Sequence, residues 1–176
     1  GGITGVFEMP NTKPLTISAL DLKDKLTRAD GKMWCDYAFY LGSTPDNLTK
    51  LGDLEKLPGC VGIKTFMGSS TGSLLISEDE HLEKIIQNIH KRAAFHAEDE
   101  ARLIERKHIV EEKPGHPELH PVWRDEKSAF IATEKLVKLA RKYNKQVHVL
   151  HVSTAEEMEL LKNYKDVASV ETLPQY

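Results

Sequence analysis

The chain is poor in several features that would assign it quickly. Cysteine occurs only at Cys35 and Cys60 in 176 residues, with neither a CxxC pair nor the spacing of a zinc ribbon. That argues against a disulfide scaffold or a thiolate-held zinc. It leaves both thiols as small core residues of a reducing, cytoplasmic compartment. No apolar run approaches the ~20 residues that span a bilayer. The first residues also lack the basic and long apolar regions of a secretory signal. No membrane partner is expected. Charge of one sign is not in excess: 24 Lys and Arg stand against 27 Asp and Glu, net −3, so no nucleic-acid partner is expected. Internal repeats and low-complexity segments are absent. An initiator methionine and any lead-in to the first strand are absent too, as expected of a piece of something longer.

What is there is ordinary globular material, 40% apolar and 29% charged, enough for a single domain over 1–176 with a sizeable core. Short β-like runs at 3–9, 33–41, 60–67, 93–96, 146–152 and 167–172 alternate with helical patterns. Leu82, Ile85, Ile86 and Ile89 recur at helical spacing. Ala129, Ala132, Leu136, Leu139, Ala140 and Tyr143 form the same stripe in the longest helix. Start signals precede these stretches. Ser18 to Asp21 resembles a capping arrangement, Thr44-Pro45 puts Pro at a first helical position, and Ser77 to Glu80 and Thr154 to Glu157 fit the capping box. Strands alternating with helices predict an α/β fold with a parallel sheet, either doubly wound or part of a (β/α)8 barrel. The segment 111–124, with four prolines and glycines among His116 and His120, reads as a long loop.

The candidates for chemistry follow from position. Met9-Pro10-Asn11-Thr12 ends the first apolar run and offers an amide that both donates and accepts at the ligand-binding edge of a sheet. Of eight histidines, His96 and His151 end strands, where α/β active sites form. Imidazole suits zinc, but histidines hydrogen-bonded to backbone near strand ends fit the pattern equally. His90 and His148 read as surface or core residues. Lys64 lies in the otherwise apolar run from Val61 to Met67. A charged amine there is costly to bury, so it is neutral, paired, modified by carbon dioxide to a carbamate, or snorkelling to water from an edge strand. The Gly68-Ser69-Ser70-Thr71-Gly72-Ser73 stretch has the composition of an anion-binding loop but lacks the Lys-Ser/Thr ending of one, and reads as a flexible substrate loop.

Five segments in order, Gly1 to Thr4 with Met9 to Thr12, Gly62 to Met67, His96 to Asp99, His151 to Thr154, and Val170 to Tyr176, resemble dihydroorotase. That family lies within the cyclic amidohydrolase superfamily, with hydantoinases and allantoinases. The resemblance implies a TIM-like (β/α)8 barrel, here a partial barrel of about six strands, with a binuclear metal centre, usually zinc. It implies that a carbamate on Lys64 bridges two metals, that His96 and His151 bind the second, and that Asn11 binds the substrate carboxylate. The implied reaction interconverts N-carbamoyl-L-aspartate and L-dihydroorotate, a step of pyrimidine synthesis, with a small molecule as partner. A homo-oligomer is compatible with it. The family's first strand, with its HxH pair and arginine, has no counterpart before Gly1. The aspartate of its last strand, a metal ligand and general acid/base, has none before Tyr176. No catalytic acid/base is therefore expected within the chain, and the chain alone is expected to be inactive. Thr172-Leu173 and Tyr176 depart from the family's wording. A hydantoinase- or allantoinase-like cyclic amidase, and a non-catalytic dihydroorotase-like subunit, are the alternatives.

Overall fold

The computed structural model describes residues 2–68 and 74–176. Six strands form a single parallel sheet: β1 Gly5–Glu8, β2 Asp36–Gly42, β3 Cys60–Phe66, β4 Ala93–His96, β5 Val147–Val149 and β6 Ala168–Val170. Their order in the sheet is their order in the chain. A doubly wound sheet reverses its strand order at the crevice where ligand binds. No reversal occurs here, so of the two parallel architectures open to the sequence this is the barrel one, a partial TIM-like wall.

The helices of the crossovers are α1 Ala19–Ala29, α2 Leu51–Leu54, α3 Asp79–Asn88, α4 Glu100–Arg106, α5 His108–Glu111, α6 His120–Trp123, α7 Glu126–Lys142 and α8 Ala155–Leu161. Successive side chains of a strand point to opposite faces. Ile63, Ala93, Phe95, Val147 and Val149 join Leu82, Ile85, Leu136 and Ala140 of the helices in one core. The alternate positions, Lys64 and Phe66 of β3, Ala94 and His96 of β4, and His148 of β5, face the other way. Register confirms this shared face: Lys64 pairs with Ala94, Ala94 with His148, and Phe66 with His96. The residues that carry chemistry are thus segregated from the core by the two-residue period alone.

Two start signals form as read. Ser18 Oγ accepts from the Asp21 N–H at 3.3 Å, and the Asp21 carboxylate accepts in return from the Ile17 N–H and the Ser18 hydroxyl, so Asp serves where Glu is usual. Thr154 Oγ1 accepts from the Glu157 N–H. The buried Glu157 carboxylate takes the hydroxyls of Thr154 and, from α7, Thr133, tying α8 to its neighbour.

Other expectations are corrected. Thr44-Pro45 opens a turn, not a helix. The Asn47 side chain accepts from the Thr44 N–H and donates to Gly42 and Ile17 carbonyls, a local alternative to helix that delays the first helical turn to Leu48. Ser77 caps nothing: Ile76 N–H is still bonded to the Phe66 carbonyl of the sheet, and α3 starts at Asp79 with Glu78 as an N-cap lacking a side-chain bond. Residues 33–35 lie outside β2, with a bend at Trp34 and Cys35 and Trp34 fully exposed. The segment 111–124 is mostly short helical turns. Pro117 and Pro121 both sit in first turns, where a missing N–H costs nothing. Residues 69–73 of the serine-rich stretch lie outside the described residues. No helix among the described residues is long and apolar enough to cross a membrane.

Candidate metal centre

His96 is the last residue of β4, and His151 follows β5 by two residues. His151 has φ +41°, the left-handed region that non-glycine residues seldom enter. That turn ends the extended run, which is why β5 stops short of Val152. The two imidazoles meet there: His96 Nδ1 lies 3.0 Å from His151 Nε2. Such an outlier persists only where the surroundings impose it, and it is concentrated at functional sites.

Three charged groups surround the pair. His96 Nε2 is 2.7 Å from Glu98 Oε2. Arg124 grips the same carboxylate with both arms, Nε to Oε1 at 2.9 Å and Nη2 to Oε2. Burial opposes ionisation of Glu98, but the hydrogen bonds from Arg124 and His96 outweigh it and hold the carboxyl down to about 2. On the other side the His151 N–H reaches Glu171 Oε1 at 3.3 Å, and Glu171 Oε2 lies 3.4 Å from His148 Nε2. Burial first, then His96 and Lys64, push the His151 imidazole below its usual range, which favours the neutral form a ligand needs.

Lys64 is 2% exposed. Its Nζ donates to the Thr65 carbonyl at 3.0 Å and sits 3.7 Å from the centre of the Phe66 ring. Burial pushes the amine down to about 7, against an opposing pull from Glu171. The edge-strand reading, a lysine snorkelling to water, is therefore corrected: β3 is an inner strand, and the amine is held in a poorly solvated place. Phe66 touches both Lys64 and His96, its ring centre 6.0 Å from the imidazole's, whereas the amine makes no hydrogen bond to either histidine.

This donor set fits a divalent cation. Two imidazole nitrogens on one tetrahedral zinc lie about 3.4 Å apart, so the observed 3.0 Å separation opens by only a few tenths of an ångström to admit one. The nitrogens converge, and the Lys64 amine, pushed down to about 7 by burial, lies on the same face. Among the described residues no cluster of three or more His, Cys, Asp or Glu could hold a metal. The two histidines are thus the converging donors, and Lys64 lies on the same face of the adjacent strand β3. Both histidines open into a cleft of about 790 Å³ lined also by Arg124, Lys127, Ser153 and Tyr176.

Asn11 is exposed, three residues beyond the end of β1 and on the same carboxyl side of the sheet. No contact joins it to the histidine pair, whose strands are separated from β1 by β2 and β3. Two residues at the centre escaped the sequence reading as individuals. Glu98 stood in the segment after His96, and its offset of two was a usable signal. Arg124 had none, for it comes from the proline-rich segment 26 residues further on. His148 behaves as read, bonded within the sheet to Ser169 Oγ at 2.8 Å.

No family model matches the chain. It is 29% identical over 173 residues to a dihydroorotase of Methanosarcina acetivorans, covering 97% of this chain and 37% of the relative. It is 31% identical over 177 residues to a dihydroorotase of Pyrococcus horikoshii (100% and 36%). It is 30% identical over 190 residues to an allantoinase of Streptomyces avermitilis (100% and 40%). Among solved structures, the L-hydantoinase (dihydropyrimidinase) from Arthrobacter aurescens superposes with a TM-score of 0.90 at 27% identity, covering 100% of this chain and 41% of that one. The resemblance to dihydroorotases and their cyclic-amidase relatives is thus borne out along the whole chain. The chain spans 36–41% of the length of the curated relatives it matches.

Proposed function

We propose that these residues belong to a metal-dependent cyclic amidohydrolase of the dihydroorotase type. The observation that carries the reading is the convergence of His96 Nδ1 and His151 Nε2 at 3.0 Å beside a buried, deprotonable Lys64. When bound, a divalent cation such as zinc supplies Lewis-acid polarisation of a ring amide and a more acidic water. The chain's residues supply the rest. His96 and His151 would hold the cation through the nitrogens that converge at 3.0 Å. Lys64, about half of it neutral near pH 7, would add through that neutral amine to carbon dioxide and release a proton, giving a carbamate whose oxygens could serve as ligands. Asn11 binds the carboxylate that distinguishes dihydroorotate from other cyclic amides. In this reading the reaction closes N-carbamoyl-L-aspartate to L-dihydroorotate with loss of water, and reopens it, serving pyrimidine synthesis in the cytoplasm. The free thiols of Cys35 and Cys60 agree with such a reducing compartment.

The runner-up is a hydantoinase- or allantoinase-like amidase, favoured by the match to the L-hydantoinase structure. Asn11 separates the two. Binding of dihydroorotate and of hydantoin to the zinc-loaded protein is measured by calorimetry, for wild type and Asn11→Ala. Loss of a hydrogen bond to a charged group costs about 1.5–3 kcal/mol. The expected outcome is therefore dihydroorotate binding weakened at least tenfold by the substitution, with hydantoin unaffected. Preference for hydantoin, or equal losses on both, overturns the dihydroorotase-type assignment and leaves the broader one.

A further inference from the structure

The hydrogen-bonding role of each His96 nitrogen can be read from its neighbours. Its Nε2 lies 2.7 Å from an oxygen of Glu98, a carboxylate that Arg124 grips with both arms. Two acceptors do not approach so closely, so Nε2 carries the proton and donates it to Glu98. Arg124 Nη2, 3.4 Å from that same nitrogen, then finds no lone pair there and spends its hydrogen bonds on Glu98. In the neutral imidazole Nδ1 then keeps its lone pair, aimed at His151 Nε2 3.0 Å away.

Arg124 is itself fixed in place. Its N–H donates to the His120 carbonyl at 2.9 Å. The residues before it are pinned by Arg106, which donates to the Val122 carbonyl at 2.6 Å and the Trp123 carbonyl at 3.3 Å, and by Trp123 Nε1 donating to Leu103 O at 2.7 Å. The residue after it, Asp125, caps α7 through Ser128 and accepts from Arg102 Nε at 2.9 Å. So the proline-rich segment ends in a guanidinium whose position is set from α4, α6 and α7 together.

We infer that Glu98 and Arg124 are positioning residues for the metal centre: Glu98 fixes the ring plane and the Nε2–H tautomer of His96, so that Nδ1 is the ligand atom, and Arg124 fixes Glu98. The inference rests on the metal reading above. It also gives the segment 111–124 a task, delivery of that guanidinium. Partners that orient a ligating histidine are worth about 10–100-fold in metal affinity.

The test uses two readouts on the purified protein. Co²⁺ affinity is measured by competition with a chelator, and the imidazole tautomer of metal-free His96 by nitrogen-15 chemical shifts. The variants are Glu98→Ala, Glu98→Gln, Arg124→Gln and, as a control, His151→Ala. Wild type is expected to show a pure Nε2–H tautomer. Glu98→Ala gives a mixed tautomer and about 10–100-fold weaker Co²⁺ binding. Glu98→Gln keeps an acceptor, hence the tautomer, and loses less, which excludes simple misfolding as the cause. Arg124→Gln lies between the two, and His151→Ala abolishes binding. If His151→Ala abolishes binding while Glu98→Ala changes neither affinity nor tautomer, the positioning inference is overturned and the metal centre stands. If Co²⁺ binding ignores His151, the metal centre falls. The tautomer then decides alone: a mixture in Glu98→Ala supports the role of Glu98 in orienting His96, and an unchanged tautomer overturns it.

Discussion

Lys64 is a cation where cations are disfavoured, and two predictions at the residue scale turn on such local conflicts. With its amine pushed down to about 7 by burial, Lys64 gains little stability for the fold. Lys64→Met keeps the volume and removes the polar end. Its metal-free stability in urea unfolding is expected within about 1 kcal/mol of wild type or above it, while zinc uptake falls. A loss of several kcal/mol would make Lys64 a structural residue. Asp125 is the opposite case. Hydrogen bonds from Arg102 hold its carboxyl well below the ordinary range, with Ser128 adding to the effect. The folded value lies below the unfolded one, so the stability it contributes is present above the usual carboxylate range near 3.8 and is lost as pH falls toward the folded value. Asp125→Ala, which removes both an N-cap and an ion pair, is expected to cost about 1–2 kcal/mol at pH 7. Unfolding midpoints of wild type and variant should draw together at pH 3. Of the residues at the candidate centre, His96, His151 and Lys64 stood out because each interrupts or ends an apolar run, and the family resemblance, not the pattern, singled them out as ligands. Arg124 did not stand out, because no local pattern relates it to a histidine 28 residues earlier in the chain.

Between elements the site depends on close approach. A Cβ on Gly68, just beyond β3, would stand 2.5 Å from the Glu98 carbonyl oxygen and 2.9 Å from its Cβ. Gly68→Ala must therefore push the chain after β4 outward, carrying Glu98 with it. A destabilisation of about 1–3 kcal/mol is expected, together with weaker metal binding. Gly115→Ala is the control. Gly115 has φ +87° with nothing near its missing Cβ, so the change strains the backbone by about 1 kcal/mol and leaves metal affinity alone. Equal effects of the two on metal binding would contradict the packing argument. Elements themselves were readable where one physical signal dominated. All six strands were bounded runs of apolar residues, and α3 and α7 followed their stripes. Boundaries failed where side chains competed with the backbone, as Asn47 does before the first helical turn, or where a sheet bond held the chain extended, as at Ile76.

For the molecule as a whole, chain order became spatial order. Sequential parallel strands bring His96 and His151, 55 residues apart in sequence, onto adjacent strands. The crossover between those strands carries Glu98, Arg124 and Asp125. One βαβ unit thus contains both imidazoles and the groups that orient them, while Lys64 comes from the strand next door. Asn11, at the far strand, is the part of the site that local pattern suggested and the fold does not draw close. Strand–helix alternation left barrel and doubly wound sheet open, since both share it; the family resemblance implied the barrel, and the pairing order, a long-range property, bears that out. The measurement that bears most directly on the central claim is zinc bound per chain after dialysis, for the protein and for His151→Ala. The account predicts zinc retained by the protein and lost from the variant. Zinc held equally by both, or by neither, would contradict a metal centre built on His96 and His151.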